Sequence, residues 1–145
     1  MAPRAMTLIE LAAVIAVMAV LAIAAYPVFT VRPGDMGAAA GLALEDIRST
    51  QRQAMADGAP RAIVFTAGSP AYAYGREPGA AAPLIRDAGE AAPGAVFQES
   101  LTITFNSLGE PAGLVEPLTV TLSHGAERAA ITIHPYTGYA ARGTP

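Results

Sequence analysis

The sequence predicts an α+β fold: an N-terminal transmembrane helix, then an amphipathic helix packed on antiparallel β-sheet. Three observations carry this. Residues 5–27 read AMTLIELAAVIAVMAVLAIAAYP, an apolar run holding a single carboxylate, Glu10. From 36 to 57, apolar residues recur at steps of three and four, the period of a helix with one buried face. Farther on, short segments alternate an apolar residue with threonine, the period of a sheet with one buried face.

The apolar run comes first. Leu11 to Ala25 contains no polar residue, yet at 1.5 Å per residue it covers only about 22 Å of the roughly 30 Å hydrocarbon layer. To span, it must recruit Leu8 and Ile9 in front and Tyr26, Val28 and Phe29 behind, which puts Glu10 at the membrane rim. A charged side chain at a bilayer centre costs on the order of 2.5–3.5 kcal/mol. That cost falls near the edge and in a first helical turn, where the helix dipole favours anions. A carboxylate there calls for a partner. Three readings compete: a buried core helix, a cleaved secretory signal, and an uncleaved anchor with a very short leader. The run is too long for the first. The second would use Arg4 as its basic end, 11–21 as its apolar centre and Ala22-Ile23-Ala24 as its cleavage site. Glu10 then falls where such signals carry positive charge. Arg4 before the span and Arg32 after it leave orientation undecided by charge.

Here the residues carry a resemblance. Ala5-Met6-Thr7-Leu8-Ile9-Glu10, followed by a long apolar helix, resembles the type III signal of type IV pilins and type II secretion pseudopilins, with Ala5 for the usual glycine and Met6 for the usual phenylalanine. The resemblance implies that residues 1–5 are a prepilin leader, cut by a prepilin peptidase between Ala5 and Met6, with N-methylation at Met6. It makes 6–31 a transmembrane and assembly helix, Pro27 its kinking proline, and Glu10 the counter-charge of a neighbouring subunit's N-terminal amine. A buried pair of this kind is better at fixing register than at adding stability. Ala12-x-x-x-Ala16 adds a small-residue face of the sort that lets helices approach in lipid.

The remaining residues, 32–145, read as one extracytoplasmic domain. Arg32-Pro33-Gly34-Asp35 breaks the helix, and Asp35 can cap a new one. Ala40, Leu44, Ile47, Gln51, Ala54 and Met55 form the stripe of a helix over about 36–57, with Glu45, Asp46, Arg48 and Arg52 away from it. Gly58 and Ala59-Pro60 stop it. Strands are expected at about 61–66, 101–106, 118–123 and 129–134. Residues 67–100, rich in Gly, Ala and Pro, are expected to be loop apart from short edge strands at 71–74 and 83–86.

These soluble pieces resemble the GspH/FimT group of minor pseudopilins and pilins. The residues are Asp46-Ile47-Arg48 and Arg52-Gln53-Ala54-Met55 before Gly58 and a strand, Phe105-Asn106-Ser107-Leu108-Gly109 at a turn, and a closing strand ending in Thr137-Gly138. The resemblance implies a minor pseudopilin, a structural subunit of the periplasmic pseudopilus of a type II secretion system. It would be single-pass in the bacterial inner membrane with its C-terminal domain in the periplasm. Its implied partners are other major and minor pseudopilins, the prepilin peptidase and the inner-membrane secretion platform. A major pseudopilin would tend to end in an acidic calcium loop, and no acidic residue follows Thr137. Two alternatives stand beside this: a FimT-like type IV pilus minor pilin that binds DNA in uptake, and a Sec-processed soluble periplasmic domain.

Composition bears on both. The formal charge of −3 leaves no basic footprint, and Arg128 and Arg142 alone serve the C-terminal stretch, whereas phosphate contacts need clustered cations. With no cysteine, disulfides, thiolate metal sites and lipidated cysteine are excluded. His124 and His134 complete no metal set. Ser107 and Ser123 lack a patterned base and acid. The glycines of 32–35 and 75–79 form no phosphate loop. No cofactor, metal ligand or catalytic residue is expected, so the expected role is not enzymatic. Tyr72, Tyr74, Tyr136 and Tyr139 read as strand packing or as an exposed contact surface.

Overall fold

The structure is a computed structural model that describes residues 8–29, 35–76 and 84–143, without the side chains of residues 20 and 22–29. The chain divides into two units, Met1–Arg32 and Pro33–Pro145. In the first, α1 (Leu8–Phe29) is one helix that runs through Pro27 and has Glu10 in its first turn. Ala5 and Met6, the expected cleavage and methylation positions, lie outside the described residues. Among the described residues, no helix is long and apolar enough to cross a membrane. The expected span therefore appears here only as a helix.

The second unit opens with α2 (Met36–Asp57). Asp35 caps it, its carboxylate accepting from the Ala38 N–H at 3.0 Å. Gly58, at φ 61, ends it and its N–H donates to the Ala54 carbonyl. The buried face of α2 is mostly alanine: Ala39, Ala40, Ala43 and Ala54, with Ile47, are at most 1% exposed. Small side chains let the helix axis sit close to the strands. The stripe read from sequence needs two corrections. Asp46 lies on the buried side, and Met55 is 46% exposed.

Eight strands follow: β1 (Arg61–Phe65), β2 (Ala71–Arg76), β3 (Leu84–Asp87), β4 (Val96–Phe97), β5 (Leu101–Phe105), β6 (Leu118–His124), β7 (Glu127–Ile133) and β8 (Ala140–Gly143). They form two four-stranded sheets, ordered β3-β2-β1-β5 and β4-β6-β7-β8. All pairings are antiparallel, with Ile63 opposite Ile103 in the first sheet and Val120 opposite Ile131 in the second. The apolar/threonine alternation holds in β5 and β6, where Ile103, Phe105, Val120 and Leu122 are buried and Thr102 and Thr119 exposed, but not throughout β7, where Ala130 and Ile131 are both buried. α2 packs against strands of both sheets.

Residues 67–100 carry the two expected edge strands, as β2 and β3, and in addition a 3₁₀ turn (Ala88–Glu90) and β4 where loop was expected. β4 is only two residues long, but Phe97 within it is completely buried. Its ring lies 4.6 Å from Phe65 and 5.5 Å from Tyr72, centroid to centroid. Its backbone exchanges hydrogen bonds with the β1–β2 turn, at Gly68 N–H and the Ser69 carbonyl. Phe97 thus sews one sheet to the other. The closing strand also differs from expectation. β7 ends at Ile133, Thr137-Gly138 sit in the following turn, and β8 comes after them. Its sequence, Ala-Ala-Arg-Gly, has no alternation by which to recognise a strand.

Candidate functional site

On α1, Leu8, Ile9, Leu11, Val14, Ile15, Val17, Met18 and Leu21 are all exposed, from 86% at Leu8 to 46% at Val14. At 100° per residue, these positions point to every side of the helix. A helix that is apolar all round requires lipid or other helices around it. Covering these side chains is worth on the order of 10 kcal/mol, taking 1.5–3 kcal/mol per fully buried aliphatic and about half to most of each exposed. A shallow apolar hollow lies along Ala13, Val14, Val17 and Met18, where the small Ala13 leaves room. The small-residue pair read from sequence, Ala12 and Ala16, does not line it. Glu10 lies exposed in the first turn, where the unsatisfied N–H groups of the helix favour an anion.

In the second unit, the prominent polar cluster centres on Asp46. This carboxylate, 5% exposed, accepts from the Tyr72 hydroxyl at 2.7 Å and from Arg86 Nε at 2.7 Å. Arg86 also donates to the Tyr74 hydroxyl at 3.1 Å, and its guanidinium lies 5.5 Å from the centre of that ring. Burial, and then the hydrogen bond to Asp46, push the Tyr72 phenol well above its ordinary pKa. The hydrogen bond to Tyr74, and then the charge of Asp46, hold Arg86 still more firmly protonated. The cluster ties the edge of the first sheet to α2. Asp46 and Tyr72 are buried within it while Arg86 reaches solvent, and the cluster acts as a brace.

Asp46 was legible in principle. Residues 39, 43, 46 and 50 follow helical spacing, and all four are buried, including Thr50, whose hydroxyl returns to the Asp46 carbonyl at 2.8 Å. Polarity concealed them. Glu45, read as outward-facing, is so; its hydrogen bond with Arg52 at 2.8 Å lowers its pKa.

Three further side chains of α2 and β8 hold the C-terminal segment. Gln51 Nε2 donates to the Gly109 carbonyl at 2.8 Å and the Thr137 carbonyl at 2.9 Å, joining two turns. Arg48 donates twice to the Ala140 carbonyl, at 2.9 and 3.2 Å. Arg142 reaches back to the Gly37 carbonyl at 2.5 Å. Gly138, at φ 64, is required where it stands, because a Cβ there would run into the Gly109 carbonyl oxygen and Phe105. Arg48 and Arg142 are thus spent on carbonyl oxygens.

The two histidines do not meet in one site: His124 ends β6, and His134 lies beyond β7 with its ring 5.9 Å from Tyr139. Among the described residues, no group of three or more His, Cys, Asp or Glu is placed to hold a metal ion. The four tyrosines separate. Tyr72 is packed in the core, Tyr74 is partly buried, and Tyr136 and Tyr139 face solvent.

No protein-family profile and no curated protein matches the chain. The fold does have solved counterparts. One crystal form of the type IV minor pilin FimU from Pseudomonas aeruginosa aligns with a TM-score of 0.62 at 15% identity, over 76% of this chain and 89% of that one. A second crystal form of FimU aligns with a TM-score of 0.59 at 13% identity, over 74% and 92%. The chain therefore has a type IV pilin-like α+β fold.

Proposed function

We propose that the chain is a minor structural subunit of a pilin-like filament, anchored in the bacterial inner membrane by α1 with its α+β unit in the periplasm. The observation that carries this reading is the pairing of two features: a helix apolar on every side with Glu10 in its first turn, and a separate unit of pilin-like fold. Before assembly, the exposed apolar side chains of α1 would lie in lipid. In a filament, apolar helices of neighbours would replace lipid, and knobs could seat in the hollow at Ala13 and Val17. The Glu10 carboxylate would then be tolerated where an adjacent subunit's amine supplies the opposite charge. Prepilin cleavage after Ala5 would create that amine at Met6.

Two filament systems fit. The resemblance of the N-terminal signal and soluble motifs to the GspH/FimT group supports a minor pseudopilin of a type II secretion system, contacting other pseudopilins and the inner-membrane platform. The likeness to a type IV minor pilin supports a pilus subunit instead. DNA uptake fits less well, because Arg48 and Arg142 are committed to backbone carbonyls and the net charge is −3.

The test is the mature N-terminus, read by mass spectrometry, together with Glu10→Ala in a strain lacking the wild-type protein. An N-methylated Met6, with crosslinks to neighbouring subunits lost in Glu10→Ala while insertion and cleavage persist, is expected. A start at Ala25 would instead identify a Sec-cleaved domain, and unchanged crosslinks in Glu10→Ala would remove its pairing role. Loss of protein secretion or of surface pili on deletion of the chain distinguishes the two systems.

A further inference from the structure

The last strand of the α+β unit and the start of its helix meet at Arg142. β8 lies at the edge of the second sheet, beyond β7, and of its four side chains only that of Ala140 is buried. A strand with so little apolar area to bury is held by its ladder to β7 and by its polar contacts. Two such contacts go to α2. Arg48 donates to the Ala140 carbonyl at 2.9 and 3.2 Å, and Arg142 donates to the Gly37 carbonyl at 2.5 Å.

The start of α2 is weak for a reason of its own. Gly37 and Gly41 lie about one turn apart on the helix, with alanine at 38, 39 and 40 between them. A glycine inside a helix lowers the local helix equilibrium about four- to fivefold relative to alanine. Space accounts for both glycines. A Cβ at 41 would stand 2.9 Å from Arg142 Nη2, and one at 37 would stand 3.5 Å from Nη1. The two glycines thus form a notch in the helix surface, and the guanidinium lies in it. A cation beside a helix N-terminus meets the unfavourable end of the dipole. Here the capping Asp35 carboxylate, 3.0 Å from the same Cβ position at 37, supplies the opposite charge. Each segment therefore lacks what the other provides: β8 has no side-chain anchor except α2, and the first turns of α2 have given up helix propensity to receive it.

We propose that β8 is a latch on the start of α2: residues 36–41 and 140–143 open and close as one unit, held by Arg142 in the notch between Gly37 and Gly41, while the rest of the α+β unit stays folded. Asp35 stands where the chain arrives from α1, so the latch sets how readily the first turns of α2 unwind under a pull along the chain. This holds whether or not α1 enters a filament.

Hydrogen exchange of the detergent-solubilised full chain tests this, read by mass spectrometry on peptides covering 36–44, 139–143 and, as controls, β1 and β5. The first two segments should open with similar equilibrium constants, and more readily than the controls. Arg142→Ala should raise both constants about three- to fivefold, the worth of one exposed charged contact, and leave β1 and β5 unchanged. Gly41→Ala is the second arm. In the Arg142→Ala chain, the added methyl should slow exchange at 36–44 about four- to fivefold, the full propensity gain. With Arg142 present it displaces the guanidinium, so most of that gain should vanish and exchange at 139–143 should quicken. The proposal is overturned by unchanged exchange at 36–44 in Arg142→Ala, by acceleration confined to one of the two segments, by equal acceleration in β1 and β5, or by the same gain from Gly41→Ala with and without Arg142.

Discussion

Removing the Asp46 carboxylate should be among the most costly single polar changes in the α+β unit. Its side chain is 7% exposed, and it is the acceptor for the buried Tyr72 hydroxyl. Asp46→Ala strands that hydroxyl without a partner, at about 1–3 kcal/mol. It also removes the ion pair to Arg86, but Arg86 is 40% exposed and keeps water, so this part is worth less than about 1 kcal/mol. The expected loss is about 1–4 kcal/mol, a sizeable share of the roughly 5–15 kcal/mol that holds a domain of this size. Tyr72→Phe removes the donor and leaves Asp46 its arginine, so it should cost about 1–2 kcal/mol. Because each single variant already breaks the shared hydrogen bond, the double variant should cost about 1–2 kcal/mol less than the sum. Urea unfolding of residues 33–145, followed by far-ultraviolet circular dichroism, reads all three values. A loss under about 0.5 kcal/mol for Asp46→Ala, or strict additivity in the double variant, would refute the brace.

Residues 33–145 alone should unfold in one cooperative thermal transition, since among the described residues every core residue lies between Met36 and Ala140; a non-cooperative melt would contradict this. Stability should decline above about pH 10. The native state keeps the Tyr72 proton that the unfolded chain releases, so the unfolded state binds fewer protons there and gains as pH rises. Tyr72→Phe should flatten that decline, as urea midpoints between about pH 9 and 11 would reveal. Gly58→Ala and Gly138→Ala place alanine at nearly the same φ, 61° and 64°, but only Gly138 is enclosed. The first should cost about 1 kcal/mol, and the second should cost clearly more, as comparative melting would report.

The sequence by itself determined the elements whose residues advertise their environment. The apolar run with Glu10, the alanine-rich stripe between Asp35 and Gly58, and the apolar/threonine alternation of β5 and β6 each show a period that a helix or a half-buried strand imposes. Glu10, the residue on which the proposed function turns, was conspicuous for the same reason: a charge in an apolar run is expensive. What the tertiary structure decided lay where local pattern carries no information. β4 is two residues long and β8 is Ala-Ala-Arg-Gly; each is a strand because a neighbour offers it an edge, and Phe97 is buried because Phe65 and Tyr72 lie beside it. Asp46 looked like surface because it is charged. It became core because Tyr72 and Arg86, 26 and 40 positions farther along the chain, converge on it, and only three-dimensional packing can supply partners at such separations.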